Sequence, residues 1–189
     1  MLFSFFIFSN NTFAGRNKLR LFVEPSINYS QFNSSGQSDV NEHEYTFNGA
    51  SFGLKAGISG LKSFFFGAQA DYSPELDLDL SVNGSSTNLL SDKYSNRLSY
   101  GAFIGLKISK RFRIIASYDL SSKFRTFMKD TDTEIGEAID FTRMGASVGF
   151  KVAKMLYVNV DYYLMDSDDW SDEFSSSTYY AGISFPINF

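Results

Sequence analysis

The sequence has no cysteine, one tryptophan, one histidine and only three prolines among its 189 residues. Without cysteine, the chain has no disulfide bonds, no thiolate metal site and no lipid-modified N-terminal cysteine. No run of 18 or more apolar residues is present, so no transmembrane helix is predicted. The net charge of −4 argues against a nucleic-acid partner, because nucleic-acid-binding proteins carry a basic stripe.

Aromatic residues are abundant instead, with 21 Phe and 11 Tyr. From Leu19 onward, apolar residues alternate with small or polar ones, which is the period of a β-strand with two unlike faces. The clearest such segment is Tyr179–Phe189. Seven similar segments precede it, at about 19–31, 46–58, 64–72, 98–108, 111–121, 143–152 and 156–164. Together with the last segment, these make eight strands. An even number of alternating strands predicts an all-β fold, an eight-stranded antiparallel up-and-down barrel.

The connections between these segments alternate in length. Three are short, around 59–63, 109–110 and 153–155, and four are long and polar, at about 33–45, 74–95, 126–137 and 166–176. Short turns on one side and long loops on the other are typical of outer-membrane barrels. In the second long connection, Leu76, Leu78, Leu80 and Val82 continue the phase of the third strand, and Asn83-Gly84 predicts a hairpin turn. We therefore expect a ribbon that projects beyond the membrane.

The two faces of the strands favour a membrane barrel over a soluble, lipocalin-like one. Nine glycines share the polar face, where they suit the crowded interior of a narrow barrel better than a solvated surface. The apolar face carries no charge within these segments and is banded by aromatic residues. A predicted interface girdle near the long-loop end consists of Tyr29, Tyr72, Tyr100, Tyr118, Tyr162 and Tyr179. We expect this face to contact lipid.

Six charged residues fall on the predicted inner face: Glu24, Lys55, Asp71, Asp119, Arg143 and Asp161. Charges at that depth must pair, because an unpaired buried ion is costly. The main hypothesis is a structural salt-bridge network that fills a closed lumen, and the alternative is a thin, gated water path. Lys107, Arg113 and Lys151 are predicted near the short-turn end, where solvent would reach them.

The N-terminus has the pattern of a secretory signal peptide. Leu2–Phe8 is a short apolar block, and Thr12-Phe13-Ala14 provides a small-residue cleavage site before Gly15. No Lys or Arg precedes the block, which departs from the usual pattern; an apolar tail or plug is the alternative. We predict a signal peptide over residues 1–14 and a barrel domain over 15–189.

On this pattern the sequence resembles the small outer-membrane barrels of Gram-negative bacteria, the class of the OmpA transmembrane domain and OmpX. The most specific part is the last strand, where Tyr180, Gly182, Phe185, Ile187 and Phe189 match the family's assembly signal. Pro186 departs from that pattern, because it lacks the N–H of a strand residue. The resemblance implies a monomer in outer-membrane lipid that contacts the barrel-assembly machinery through this strand.

Candidate catalytic and binding residues are few. His43, between Glu42 and Glu44, lacks an assigned nucleophile, so a lipid A-modifying activity is a minor alternative. Pro25 and Pro186 lie on strands that would pair at barrel closure, and a weakened seam there could admit a lipid chain. A weak Ca²⁺ candidate surrounds Trp170 in the last loop and consists of Asp166, Asp168, Asp169, Asp172 and Glu173.

The sequence therefore predicts a non-enzymatic outer-membrane protein with a structural or surface-interaction role, exercised through four extracellular loops. A narrow pore is the main alternative. No cofactor and no catalytic residue is predicted, and a surface ligand of the loops is the expected partner besides lipid.

Overall fold

The computed structural model describes residues 19–37, 42–61, 63–87, 92–166 and 175–189. The strands are β1 (Arg20–Gln37), β2 (Glu42–Leu61), β3 (Phe64–Val82), β4 (Ser85–Thr87), β5 (Lys93–Lys107), β6 (Phe112–Met128), β7 (Glu134–Ala153), β8 (Leu156–Asp166), β9 (Ser175–Ser184) and β10 (Ile187–Asn188). Within these residues no helix is long and apolar enough to cross a membrane. The predicted signal peptide lies outside the described residues.

The strands form one closed antiparallel barrel. Each barrel strand pairs with the next along the chain, and β1 pairs with β9 and β10 to close the ring. The short β4 pairs only with β3, and β9 and β10 keep the same register on β1, so they act as one strand. The barrel wall therefore has eight strands, and the predicted fold is confirmed.

Alternation of the side chains gives the barrel an apolar outer surface. Leu21, Ile27, Phe52 and Val160 are about half exposed, whereas their sequence neighbours point into the barrel. On β8 the outward series runs from Leu156 to Leu164, which covers roughly 20 Å along the axis of a tilted strand. That height is close to the roughly 25 Å apolar band of outer-membrane barrels. This surface is built to face hydrocarbon rather than water.

Glycine on the inner face makes room for large aromatic side chains. A Cβ built at Gly105 would run into the ring of Phe65, and one at Gly145 would run into the ring of Tyr163. Both rings belong to buried side chains that fill the lumen. The narrow barrel therefore accommodates its interior rings because the facing wall has no side chain there.

The predicted lengths of two long loops, 33–45 and 126–137, are wrong, because the strands continue through most of both segments. β1 and β2 stay paired as far as Gln37 and Glu42, and β6 and β7 stay paired as far as Phe127 and Glu134. In these extensions the outer face is polar rather than apolar, so the hydrophobic alternation ends while the backbone hydrogen bonds continue. The strands consequently project well beyond the apolar belt; we call this part the projecting end.

The predicted phase of β3 is also wrong beyond Ser73. Leu76 is fully buried and Leu78 nearly so, although the extrapolated alternation placed both on the outer face. The cause is a register shift between Ser73 and Leu76 in the pairing with β5, since one extra residue moves every later side chain to the other face. The hairpin itself is present: Asn83 and Gly84 have φ of 49° and 75° and connect β3 to β4.

Candidate functional site

The lumen is filled in layers, beginning with an aromatic layer at the short-turn end. Phe22, Phe65, Phe103 and Ile115 are buried together there, and we call them the short-turn cluster. The rings of Phe22 and Phe65 lie 5.9 Å apart edge to face, and those of Phe22 and Phe103 lie 6.0 Å apart. Such packing excludes water, because edge-to-face rings leave little space between them.

A buried ion pair, Arg113–Glu24, lies beside the short-turn cluster. Arg113 Nη1 donates to Glu24 Oε2 at 2.6 Å, and its Nη2 donates to Asn159 Oδ1 at 2.9 Å and to Ser184 Oγ at 3.1 Å. The guanidinium also stacks on the ring of Tyr157, 4.0 Å from its centroid. The predicted solvation of Arg113 is wrong, because only 3% of the residue is exposed. Its long side chain turns inward from the wall to reach Glu24.

Two further ion pairs occupy the middle of the lumen and share Tyr180. Arg97 Nη2 donates to Asp71 Oδ1 at 2.8 Å. Arg143 Nε donates to Asp119 Oδ2 at 2.8 Å, and Arg143 also donates to the hydroxyl of Tyr180. That hydroxyl donates in turn to Asp71 Oδ1 at 3.1 Å. One hydrogen-bonded network therefore connects both pairs.

Neutral polar groups and rings complete the network. Gln69 donates to Asp119 Oδ1 at 2.7 Å and accepts from Ser117 at 3.2 Å. Arg97 donates to Ser73 Oγ at 2.9 Å, and its guanidinium lies 5.1 Å from the ring of Tyr180. Because each charge meets a counter-charge or a ring, these ions are retained in the lumen without bulk water.

Of the six predicted interior charges, Lys55 and Asp161 form no ion pair among the described residues. Asp161 is buried, and its Oδ1 has no hydrogen-bond partner among the described atoms. Both residues line a small internal cavity of about 20 Å³. A space of this size holds about one water molecule, which is too little for a continuous water path.

A second aromatic layer closes the lumen toward the projecting end. Phe32, Leu76, Phe124 and Phe141 are buried together, and we call them the projecting-end cluster. The rings of Phe32 and Phe124 lie 4.9 Å apart, and Phe124 and Phe141 pack edge to face at 5.5 Å. The two central ion pairs, Arg97–Asp71 and Arg143–Asp119, thus lie between two apolar clusters, and the described side chains fill the lumen at this level.

All six charges predicted for the inner face lie on it. Glu24, Asp71, Asp119 and Arg143 are in ion pairs, and Lys55 and Asp161 line the small cavity. Arg97 was not predicted, although it lies two residues before Ser99 on the same face of β5. Extending the alternation by one period would have identified it. Arg113 was identified but assigned to solvent, since sequence does not show where a long side chain ends.

Compared by sequence, the chain matches no family model and no curated protein. Its structure is similar to that of Ail, the attachment invasion locus protein of Yersinia pestis, with a TM-score of 0.56 and 12% identity over 88% of this chain and 98% of that one. The outer membrane protein OprG from Pseudomonas aeruginosa has a TM-score of 0.52, with 7% identity over 92% of this chain and 98% of OprG. Neisserial surface protein A has a TM-score of 0.50, with 10% identity over 87% of this chain and 96% of that protein.

The chain has the fold of the small outer-membrane β-barrels. The resemblance predicted from the sequence is confirmed at the level of the fold, and the predicted outer-membrane location agrees with these structures. The six tyrosines of the predicted girdle all face outward on the barrel, and the rings of Tyr162 and Tyr179 lie 4.9 Å apart. Their role at a membrane interface stays a prediction.

The closing seam of the barrel is continuous despite its two prolines. The Phe185 amide donates to the Pro25 carbonyl at 3.0 Å, and the Phe189 amide donates to the Leu21 carbonyl at 2.9 Å. Because Phe185 points its amide at β1, Pro186 points its nitrogen to the opposite side. The seam therefore loses the donor of Pro25, whereas the missing N–H of Pro186 lies on the side away from β1. We find no gap here for a lipid chain between the described strands.

The remaining candidate residues are only partly placed. Of the assembly-signal residues, Tyr180 and Gly182 face the lumen, and Phe185, Ile187 and Phe189 are exposed on the outer surface. His43 lies on β2 opposite Val82 at the projecting end, and no hydrogen bond joins it to a hydroxyl or a carboxylate of the described chain. Asp166 ends β8, whereas Asp168, Asp169, Trp170, Asp172 and Glu173 lie outside the described residues. No metal-binding group of His, Asp or Glu forms in the part described.

Proposed function

We propose that this chain is a non-enzymatic outer-membrane protein whose lumen is structural and whose function is to bind partners at its projecting end. The observation that supports this proposal most is the filled lumen. In the part of the chain that the structure describes, two aromatic clusters enclose the paired charges Arg97–Asp71 and Arg143–Asp119, which leaves little room for solute passage. A barrel of this kind presents to its surroundings only the lipid-facing belt and its two ends.

The projecting end is ordered enough to act as a binding surface. Lys129 Nζ lies 3.0 Å from Asp77 Oδ1, which ties the end of β6 to β3 across β5. Tyr94 donates to Asp132 at 3.0 Å, and its ring stacks on Phe127 at 5.2 Å. These contacts hold the strand extensions together outside the belt, as a surface that recognises a partner requires.

This end is also acidic. The described exposed carboxylates at this end are Glu44, Glu75, Asp77, Asp79, Asp92, Asp130, Asp132, Glu134, Glu137, Asp140 and Asp166. The nearby cations Lys123, Arg125 and Lys129 already pair with carboxylates of this set. A partner with exposed basic groups is therefore favoured, because opposite charge accelerates and orients association. Ail is known in complex with the heparin analogue sucrose octasulfate, and the acidic surface here disfavours a polyanion of that kind.

An adherence assay tests the proposal. A non-adherent Gram-negative strain that produces the chain is compared with the empty strain on epithelial cells and on immobilised matrix proteins. Two charge variants locate the surface: Glu75→Gln/Asp77→Asn/Asp79→Asn on β3, and Asp130→Asn/Glu134→Gln/Glu137→Gln on the β6–β7 side. We expect the wild type to increase adherence and at least one variant to lose most of the increase.

Gel migration before and after boiling serves as the folding control for every variant, because folded barrels migrate differently from unfolded ones. Adherence equal to that of the empty strain, or unchanged in both folded variants, would contradict the proposal. The enzyme alternative is tested with His43→Ala: lipid A composition should be the same in strains with the wild type and the variant.

A further inference from the structure

We propose that the short-turn end of the barrel contains a binding site for a small anion that carries phosphate or carboxylate groups. A cavity of about 400 Å³ opens at this end, and it extends past Phe22 and Phe65 of the short-turn cluster to the Arg113–Glu24 ion pair. Lys107, Lys151, Lys154 and Arg113 line it, and Glu24 is the only acidic side chain among its described lining residues. The site lies at the opposite end from the proposed partner-binding surface and does not depend on it.

The positive charge at this cavity is not neutralised by the described residues. Glu24 is fully engaged by Arg113, and no carboxylate of the described residues lies within ion-pair distance of Lys107, Lys151 or Lys154. Arg20, Lys110 and Arg111 add further positive charge around the mouth. A chain with a net charge of −4 thus concentrates unpaired cations at one opening. Such convergence in a partly enclosed site attracts anions strongly, because the low-dielectric walls focus the field.

The lysines are held over the walls of the cavity. Lys107 Nζ lies 5.7 Å from the centroid of Phe65, and Lys151 Nζ lies 6.0 Å from that of Tyr157. Ammonium groups at these distances are attracted to the ring faces, which directs them toward the same space. At the floor, the buried Nε of Arg113 has no hydrogen-bond partner among the described atoms. The donors of an anion site are therefore present before a ligand arrives.

The size and the walls define the ligand class. About 400 Å³ lies within the range of small-molecule pockets and is far too small for a folded domain. Phe22, Phe65, Tyr157 and Met155 give the cavity apolar surface beside its cations. A ligand with an anionic group and a small apolar or sugar part fits this combination. A phospholipid headgroup and a soluble phosphate or carboxylate compound share that chemistry.

Binding is measured with the full chain in phosphatidylcholine nanodiscs. In the first arm, inorganic pyrophosphate and citrate are titrated separately by calorimetry, and the lysine side-chain NMR signals are followed. In the second arm, the Lys154 signal, which both variants retain, is followed in nanodiscs with an increasing fraction of phosphatidylglycerol. The test variant is Lys107→Gln/Lys151→Gln, and the matched control is Lys110→Gln/Arg111→Gln, which removes two charges at the same end outside the cavity. Gel migration before and after boiling confirms that each variant is folded.

We expect saturable binding in at least one arm, a loss of about tenfold in affinity in the cavity variant, and a loss of about twofold or less in the control. The arm that shows this pattern identifies the source of the anion. No saturable binding in either arm would overturn the proposal. Equal losses in the two variants would also overturn it, because they would show general attraction to a basic surface rather than a site.

Discussion

Removal of Arg143 is the most informative perturbation of the lumen. Arg143 and Asp119 are 2% and 1% exposed, and the guanidinium donates to the carboxylate and to Tyr180. Arg143→Met keeps most of the apolar length of the side chain but leaves Asp119 buried, with Gln69 as its remaining side-chain donor. Breaking a buried pair in this way costs about 3–5 kcal/mol, because an uncompensated charge remains in the interior.

The assay is urea unfolding of the refolded barrel in lipid vesicles, followed by fluorescence and by gel migration. Arg143→Met/Asp119→Asn should recover most of the lost unfolding free energy, since the second change removes the unpaired carboxylate of Asp119. Lys123→Met is the matched control: its partner Asp140 is 3.7 Å away, and both side chains are about half exposed. That control should lose less than about 1 kcal/mol. A single variant as stable as the control, or a double variant no better than the single, would refute the reasoning.

Three further predictions address other parts of the barrel. Gly105→Ala places a methyl group against the ring of Phe65, so unfolding free energy should fall by about 1–3 kcal/mol in the same urea assay; wild-type stability would contradict the packing. At the projecting end, the hydrogen bond and charge of Asp77 raise the pKa of Lys129 above its usual value. This contact is therefore fully present below the ordinary lysine pKa and is lost as the pH rises through the raised pKa. Asp77→Asn should bring that pKa back down in an NMR titration, and an unchanged titration would exclude the contact. Finally, Phe189→Ala should reduce the amount of barrel assembled in the outer membrane of cells, measured by fractionation, without changing refolding in detergent; undiminished assembly would argue against an assembly signal in this strand.

Much of the barrel wall is predictable from the sequence because alternation follows directly from the geometry of a strand. Where a strand faces lipid on one side and packed side chains on the other, the two faces differ so strongly that phase and number of strands can be read from the residues. The same reasoning fails at the projecting end. In the ends of β1 and β2, beyond Phe32 and Phe47, both faces are largely polar, and the pattern that indicates a strand disappears although the pairing of β1 with β2 continues.

The errors inside the barrel have two physical causes. Between Ser73 and Leu76 the backbone pairing shifts by one residue, and the alternation of apolar residues does not show this shift. The extrapolated phase therefore placed Leu76 on the wrong face. The partners of the buried charges depend on strand stagger and side-chain reach. Glu24 and Arg113 are 89 residues apart and meet across the lumen, which no spacing along the chain reveals.

The conductance of the reconstituted wild-type chain in a planar lipid bilayer tests the central claim most directly. The claim is that the two aromatic clusters and the charge network between them seal the lumen, so that the protein acts through its ends. We predict that heat-modifiable, correctly folded barrel gives no discrete current steps above those of the lipid alone. Reproducible steps from folded protein would show a water path through the lumen and would contradict the account.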